Sequence, residues 1–147
     1  MSERIIEVKD LEYKYGDFKA VDGVCFFVRE GEIFSFLGPN GAGKSTVINI
    51  LTTLLPVQKG SVTIAGYDLA KEPQQVRRSI GIVFQDETLD RDLTVWETLE
   101  LHGRIYSMPK EERRERIEEI IKLVELEEKR NVRTRFLSGG MKRRLEI

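Results

Sequence analysis

Residues that build covalent cross-links and transition-metal sites are scarce in this sequence. Its 147 residues contain one cysteine, Cys25, and one histidine, His102. A single cysteine excludes an internal disulfide and any metal site that needs several thiolates, and this usage is typical of a reducing cytosol. We interpret Cys25 as a small core residue. His102 has no companion with which to form a ligand set, so we interpret it as structural.

Long apolar runs and an excess of one charge are also missing. No stretch approaches the ~18 apolar residues of a membrane helix, and the first residues, Met1 to Arg4, lack the apolar segment of a secretory signal. We therefore expect any membrane connection to come through a partner. The chain has 24 lysines and arginines against 25 aspartates and glutamates. Its overall field attracts neither nucleic acid nor anionic lipid, and we expect no nucleic-acid partner.

A glycine-rich stretch, Gly38 to Thr46, organises the chain. It reads Gly-Pro-Asn-Gly-Ala-Gly-Lys-Ser-Thr and fits G-x-x-x-x-G-K-[ST], the pattern of a phosphate-binding loop. An apolar run at 33–37 precedes it and a helix-like run at 47–51 follows it. The alternative is a plain turn between two core elements. The arrangement favours a strand, a loop and a helix that bind a nucleotide.

The residue types in this loop suit phosphate and magnesium. Glycines such as Gly41 and Gly43 have no Cβ, so consecutive backbone N–H groups can surround phosphate oxygens. The following helix adds its partly positive N-terminus. We predict that Lys44 reaches the β and γ phosphates and that Ser45 places its hydroxyl on Mg²⁺.

Short apolar runs elsewhere predict a parallel α/β sheet, because strands alternate with helical segments. The alternation at 24–28 suggests burial on both faces, and Asp22-Gly23 is a turn signal. We predict that the helix after the loop runs to about residues 54–55 and that another begins at Pro73. The predicted strands lie at 5–8, 24–28, 33–37, 62–64 and 80–84.

Two single residues have both a functional and a plain interpretation. Tyr15, in an expected loop beside Gly16, projects a ring on which adenine could stack; alternatively it is a half-buried strand or loop residue. Gln85 ends an expected strand at the edge where open α/β sheets place ligands. Its amide suits Mg²⁺ or a metal-bound water, or it simply starts a loop. Asp86 and Glu87 we interpret as solvated acids.

The second part of the chain is charged and helical. Thr94 and Glu97 form a capping box, so a helix is expected from Val95, and Met108-Pro109 should end it. A second helix follows, with an apolar stripe that we assign to core packing. The stripe consists of Ile117, Ile120, Ile121 and Val124.

A serine and two glycines open the last predicted helix. Ser138, Gly139 and Gly140 there form a second potential anion site of the same physical kind as the phosphate loop. The alternative is a plain N-cap.

Together and in this order, the motifs resemble the nucleotide-binding domain of ABC transporters. Residues 38–46 are similar to the Walker A motif and Gln85 to the Q-loop glutamine. Leu137 to Met141 is similar to the signature motif, with Met141 where glutamine is commonest. Tyr15 falls at the adenine-stacking aromatic of the A-loop. The resemblance covers essentially the whole chain.

The resemblance implies an α/β fold: a P-loop NTPase core of the ABC type with an N-terminal antiparallel β subdomain and an α-helical subdomain, incomplete at the C-terminus. The expected division is 1–87 for the core and 88–147 for the helical part. The implied cofactors are ATP and Mg²⁺, with Ser45 and Gln85 directed to the metal. The implied nucleotide-binding residues are Tyr15, Gly38, Asn40, Gly41, Gly43, Lys44, Ser45, Thr46, Gln85, Ser138, Gly139 and Gly140.

Several family motifs are not found in residues 1–147. They are the Walker B strand with its aspartate and catalytic glutamate, the D-loop and the switch histidine. His102 precedes the signature, and neither Asp86 nor Glu87 occupies the Walker B position. We therefore expect a fragment of a longer ATPase, with no catalytic residue of its own and negligible hydrolysis.

The family sheet also implies a gap in this chain. Two strands of the family fold lie between the segments equivalent to 33–37 and 80–84. We expect exposed edges there, with either non-native pairing of the two segments or completion by another chain.

The resemblance implies an ATP-binding subunit of a transporter, cytoplasmic and peripheral on the inner face of the membrane through permease subunits. Residues 88–110 would face that membrane partner. A second nucleotide-binding subunit would pair head to tail, so that Ser138 caps its ATP. The wording at 89–91 and 139–144 is most similar to the drug and lipid exporter branch.

Three other functions stay open. One is a soluble ABC-type ATPase that acts on DNA or ribosomes, and another is a non-enzymatic module that regulates a full-length homologue. The third is an unrelated P-loop kinase or GTPase.

Overall fold

The computed structural model describes residues 4–147, which form two compact units. The first ends at Ile82 and the second begins at Val83. The functional division expected between residues 87 and 88 stays a prediction.

The first unit is built on a four-stranded antiparallel sheet. The strands are β1 (Arg4–Tyr15), β2 (Phe18–Arg29), β3 (Lys59–Ile64) and β4 (Tyr67–Asp68), in the order β2-β1-β3-β4. All three neighbouring pairs run antiparallel. The first two strands continue through the positions at which the sequence predicted a loop and a turn, because each forms ladder bonds with the other along most of its length.

Two helices cover one face of this sheet. Helix α1 (Lys44–Leu51) follows the glycine loop, and α2 (Pro73–Ser79) begins at its predicted proline. The first ends before the predicted residues 54–55, because Thr53 has a left-handed φ of 63° that interrupts the helix. The core between sheet and helices contains Val8, Leu11, Tyr13, Val21, Val47, Ile50, Val62, Ile64, Leu69 and Val76.

The prediction that β2 is buried on both faces is wrong. Val24, Phe26 and Val28 point towards the core, whereas Phe27 and Cys25 are exposed on the other side. This pattern follows from a sheet that is covered on one face only. The core position predicted for Cys25 is therefore also wrong, and its sulfur accepts a hydrogen bond from the Asp10 N–H at 3.1 Å.

The predicted strands at 33–37 and 80–84 are extended but do not form strands, and the sheet contains no parallel pair within residues 4–147. An extended segment becomes a strand only beside a hydrogen-bonded neighbour. Ile33 and Leu37 are consequently 96% and 92% exposed. Neither segment forms a strand within residues 4–147, so the expected non-native pairing of the two is not formed there. The expected exposed strand edges stay a prediction. Completion by another chain stays a prediction.

The second unit is helical, as predicted. Its helices are α3 (Val95–Ile105), α4 (Lys110–Leu123) and α5 (Gly139–Glu146), and short 3₁₀ turns lie between the last two. Ile117 and Ile121 of the predicted stripe are buried in its core. The other core residues are Leu89, Val95, Leu126, Leu137 and Leu145. From residue 4 onward, no helix has the length and apolarity needed to cross a bilayer.

A mostly buried arginine fastens α3 to α4. The Arg113 guanidinium donates to the Glu100 carboxylate at 2.9 Å and to the Met108 carbonyl at 2.7 Å. A Cβ on Gly103 would lie 2.4 Å from Cδ of this arginine, so the Arg113 side chain can pack against α3 only because residue 103 has no side chain. His102 lies beside it on the exposed surface of α3. The buried charge is paired, as its burial requires.

The capping box of α3 has the predicted geometry. Glu97 N–H donates to the Thr94 hydroxyl oxygen at 3.2 Å, and Thr94 N–H donates to the Glu97 carboxylate at 2.9 Å. These bonds satisfy two backbone donors that a helix start otherwise leaves unpaired. Donation from the Thr94 N–H lowers the pKa of the Glu97 carboxyl below its ordinary value.

We predict that Thr94→Ala lowers the free energy of unfolding of the second unit by about 1 kcal/mol, because the cap oxygen is lost. Trp96 is the only tryptophan of the chain and lies two residues after the cap, so its fluorescence during urea unfolding reports on this unit. Thr94→Ser keeps the oxygen and should unfold close to the unmodified chain. Equal losses in both variants would contradict the prediction.

Candidate functional site

The glycine loop lies directly against the sheet. Gly41 and Gly43 both have φ of 83°, a left-handed conformation that favours glycine. A Cβ on Gly43 would also lie 2.3 Å from the Ala20 carbonyl oxygen of β2. The space around Gly41 is open, with nothing within 4 Å of its Cβ position. One glycine thus seats the loop on the sheet while the other stays on its open side.

Lys44, the first residue of α1, folds back over the loop. Its ammonium nitrogen donates to the Gly38 and Pro39 carbonyl oxygens at 2.7 Å each. These bonds place a positive charge across the loop beside the N-terminus of a helix, whose dipole has the same sign at that end. Ser45 is exposed next to it. Glycine, lysine and exposed hydroxyl therefore fit a bound triphosphate and its magnesium.

A cleft of about 690 Å³ begins at these two side chains and continues over apolar ones. Phe26, Phe34 and Phe36 form an aromatic cluster in it, with ring centroids 5.1 Å apart in each pair. The cleft is therefore polar at the loop and apolar along the extended segment 33–37. Other apolar residues that line it are Ile6, Val28, Leu37, Ile48 and Leu51.

The remaining predicted site residues of the first unit differ in how exposed they are. Asn40 is exposed, whereas Thr46 is buried at the start of α1. Tyr15 ends β1 and does not lie in the predicted loop; its ring is 49% exposed and packs edge-on against Tyr13 at 5.0 Å. A flat ring at the surface suits stacking, and the adenine role of Tyr15 stays a prediction.

In the second unit, Ser138 is the N-cap of α5, and its hydroxyl accepts a hydrogen bond from the Met141 N–H at 3.3 Å. Gly139 and Gly140 are exposed, and nothing lies within 4 Å of their Cβ positions. Ser138 therefore caps α5, a role that both interpretations of this serine share. The open backbone around it also suits an anion, and that role stays a prediction.

Gln85 is exposed in a bend of the second unit, and the segment around it is bonded to α5. Lys142 forms an ion pair with Glu87 at 2.8 Å, and the Glu146 carboxylate accepts from the Thr88 N–H at 2.8 Å. The latter bond lowers the pKa of the Glu146 carboxyl, with a smaller contribution from Arg143.

Sequence reasoning missed this network and wrongly treated Glu87 as merely solvated. The spacing of Lys142, Arg143 and Glu146 places all three on adjacent positions of one helix face, which was the available signal. The sequence does not say which segment meets that face.

Each unit holds one part of the predicted constellation. The first carries Tyr15 and the loop 38–46, and the second carries Gln85 and residues 138–140. No group of three or more histidine, cysteine, aspartate or glutamate side chains that could hold a metal occurs between residues 4 and 147. The metal roles predicted for Ser45 and Gln85 stay predictions.

Comparison with known proteins gives consistent results. A family model described as ABC transporter matches residues 21–147. The linearmycin resistance ATP-binding protein LnrL of Bacillus subtilis is 37% identical over 97% of this chain and 46% of that protein. The doxorubicin resistance ATP-binding protein DrrA of Mycobacterium tuberculosis is 42% identical over 92% of this chain and 41% of that protein. The chain spans less than half the length of these relatives.

Solved structures give the same fold. The structure of cbiO1 from Clostridium perfringens, part of the ABC transporter complex cbiONQ, matches with a TM-score of 0.86 and 29% identity over 98% of this chain and 59% of that one. An ATP-binding cassette solved as a dimer, in a post-hydrolysis state with ADP and Pi, matches with a TM-score of 0.76 and 35% identity. That match covers 96% of this chain and 66% of the other.

We predict that Gly43→Ala destabilises the first unit by about 1–3 kcal/mol more than Gly41→Ala does. Both substitutions strain a φ of 83°, but only the first places a methyl group 2.3 Å from the Ala20 carbonyl oxygen. Urea unfolding followed by far-UV circular dichroism of the two variants isolates the cost of the close approach. Equal destabilisation would show that the loop is not seated on β2 as described.

Proposed function

Because this chain belongs to the ABC transporter family, we propose that it is the N-terminal half of a transporter's ATP-binding subunit and that it binds Mg-ATP. The observation that supports this most directly is the position of Lys44, whose ammonium crosses the loop to the Gly38 and Pro39 carbonyls. Both acceptors belong to the loop itself, so the position of the ammonium depends on no side chain of the second unit. A positive charge held across a glycine loop in this way suits bound phosphates.

The bound triphosphate would be held by charge and by backbone donors. Lys44 turns from the two carbonyls towards the β and γ phosphates, and the first N–H groups of α1 point at their oxygens. Magnesium, when bound, neutralises phosphate charge and orients the terminal phosphate. Ser45 and Gln85 direct an oxygen towards that metal, Thr46 and the loop backbone from Gly38 to Gly43 complete the enclosure, and Tyr15 stacks on adenine.

A second copy of the domain would supply the rest of the nucleotide site. Ser138, Gly139 and Gly140 present open backbone at the start of α5, which suits the phosphates of a partner's ATP in a head-to-tail dimer. The related cassette that was solved as a dimer supports this assembly.

The remaining partners are proposed to be permease subunits, which hold the protein at the cytoplasmic face of the membrane. Residues 88–110 would face them. Relatives named for linearmycin resistance, doxorubicin resistance and Nod factor export support a role in the export of drugs or lipid-like compounds.

Hydrolysis is proposed for the complete protein and not for this chain alone. Phosphoryl transfer to water needs a group that orients and deprotonates it. Glu32 lines the cleft with Lys44, but its carboxylate accepts the Arg29 N–H at 2.8 Å and so is held within the turn after β2.

Calorimetric titration of Mg-ATP into the 147-residue chain tests the binding. We predict that Lys44→Ala weakens binding by about 10-fold or more, because a charged hydrogen-bond donor to phosphate is lost. Lys122→Ala, which removes an exposed lysine of α4, serves as the matched control and should bind like the unmodified chain. Unchanged affinity in Lys44→Ala, or no binding by the unmodified chain, would refute the proposed binding.

Phosphate release at saturating Mg-ATP tests the proposal that this chain alone does not hydrolyse ATP. We predict that the 147-residue chain releases phosphate no faster than its Lys44→Ala variant, since Glu32, the acidic residue of the cleft, is held by the Arg29 N–H. Steady release that disappears in Lys44→Ala would instead show that the chain holds a working hydrolytic centre.

A further inference from the structure

The segment that carries Gln85 is bonded at both ends to α5, the helix that Ser138 caps. On one side, the Arg143 guanidinium donates to the Phe84 carbonyl, one residue before Gln85. On the other, the Glu146 carboxylate accepts from the N–H of Thr88 at 2.8 Å and from its hydroxyl at 3.1 Å. We call residues 84–88 the glutamine segment. Its backbone is held on both sides of Gln85.

The residues of α5 that make these contacts are paired with opposite charges, and two of them are largely buried. The Glu146 side chain is only 7% exposed, although it carries a charge. Arg143 donates to the same carboxylate at 3.2 Å, so the two side chains that hold the segment also orient each other. Lys142, 16% exposed, adds the ion pair with Glu87 at 2.8 Å. Hydrogen bonds to charged groups are stronger than neutral ones. The low exposure of Glu146 and Lys142 shields their contacts from water, whereas the Arg143 side chain is 47% exposed.

The contacts leave Gln85 itself available. They involve backbone groups of Phe84 and Thr88, and the Gln85 side chain stays exposed between them. Arg143 and Glu146 also lie in the last turn of α5, whereas its first turn presents Ser138 and the two open glycines. A helix of eight residues is about 12 Å long, so one rigid rod joins the two regions.

We propose that Arg143 and Glu146 are positioning residues that fix the backbone of the glutamine segment, so that Gln85 presents its amide to the metal-bound nucleotide. This inference rests on the proposed function for the nucleotide role of Gln85, but the holding of the segment rests on the contacts alone. The contacts of both residues described above are with the glutamine segment and with each other. Their effect passes through the glutamine, and it also makes Gln85 and Ser138 move as parts of one body.

Amide hydrogen exchange of the 147-residue chain, resolved by NMR, tests the holding of the segment. Glu146→Ala should raise the exchange rate of the Thr88 amide by about 10-fold or more, because its acceptor is lost. Glu146→Gln keeps an acceptor oxygen and should restore most of the protection. Arg143→Ala, as a second variant, should loosen the segment while the amides of Ile117 and Ile121 exchange as before. Unchanged Thr88 exchange in Glu146→Ala would overturn the inference.

Calorimetry with and without Mg²⁺ tests the consequence for nucleotide. Gln85→Ala and Glu146→Ala should each reduce the gain in ATP affinity that Mg²⁺ gives, by a similar factor. Glu146→Gln should retain the gain. A loss in Gln85→Ala without any loss in Glu146→Ala would overturn the positioning role. If the unmodified chain binds no ATP, the proposed function fails, and the exchange measurement alone decides whether α5 holds the segment.

Discussion

The close approach of Gly43 to the Ala20 carbonyl is the contact on which the first unit depends. It brings the end of the glycine loop against β2 with no room for a side chain. Helix α1 starts one residue later, so Val47 and Ile50 fall onto the sheet and complete the core. The same starting point sets Lys44 over the loop carbonyls. The residue at which α1 begins therefore determines both the packing of the helix on the sheet and the position of Lys44 over the loop.

Features decided by local chemistry were predictable from the sequence. The cap of α3 by Thr94 and Glu97, the start of α2 at Pro73 and the helix after the glycine loop all depend on neighbouring residues. The prediction of strands at 33–37 and 80–84 was wrong. Apolar character shows that a segment can be buried, whereas a strand forms only beside a hydrogen-bonded neighbouring strand. The prediction of a core position for Cys25 was wrong for a related reason, because alternation does not reveal which face of a sheet is covered.

The candidate site divides along the same line. The roles assigned to Lys44 and Ser138 follow from contiguous motifs, and the structure gives both a geometry that suits them. The bonds from Arg143 and Glu146 to the glutamine segment join residues more than fifty positions apart. Such pairs depend on how α5 returns towards the start of its unit, which no local pattern encodes. The charged and capping residues of the candidate site can therefore be predicted from the sequence. The contacts that hold the glutamine segment in place can be identified only from the structure.

The bare extended segment at 33–37 has a consequence for biosynthesis. Proteins are made from the N-terminus, so any longer polypeptide that begins with this sequence passes through a stage at which this half alone has emerged. At that stage Ile33 and Leu37 are exposed on a segment that pairs with none of the strands β1 to β4, and such a segment can be a template on which foreign strands aggregate. An exposed apolar segment of this kind on a nascent chain is a target for chaperones until residues made later cover it.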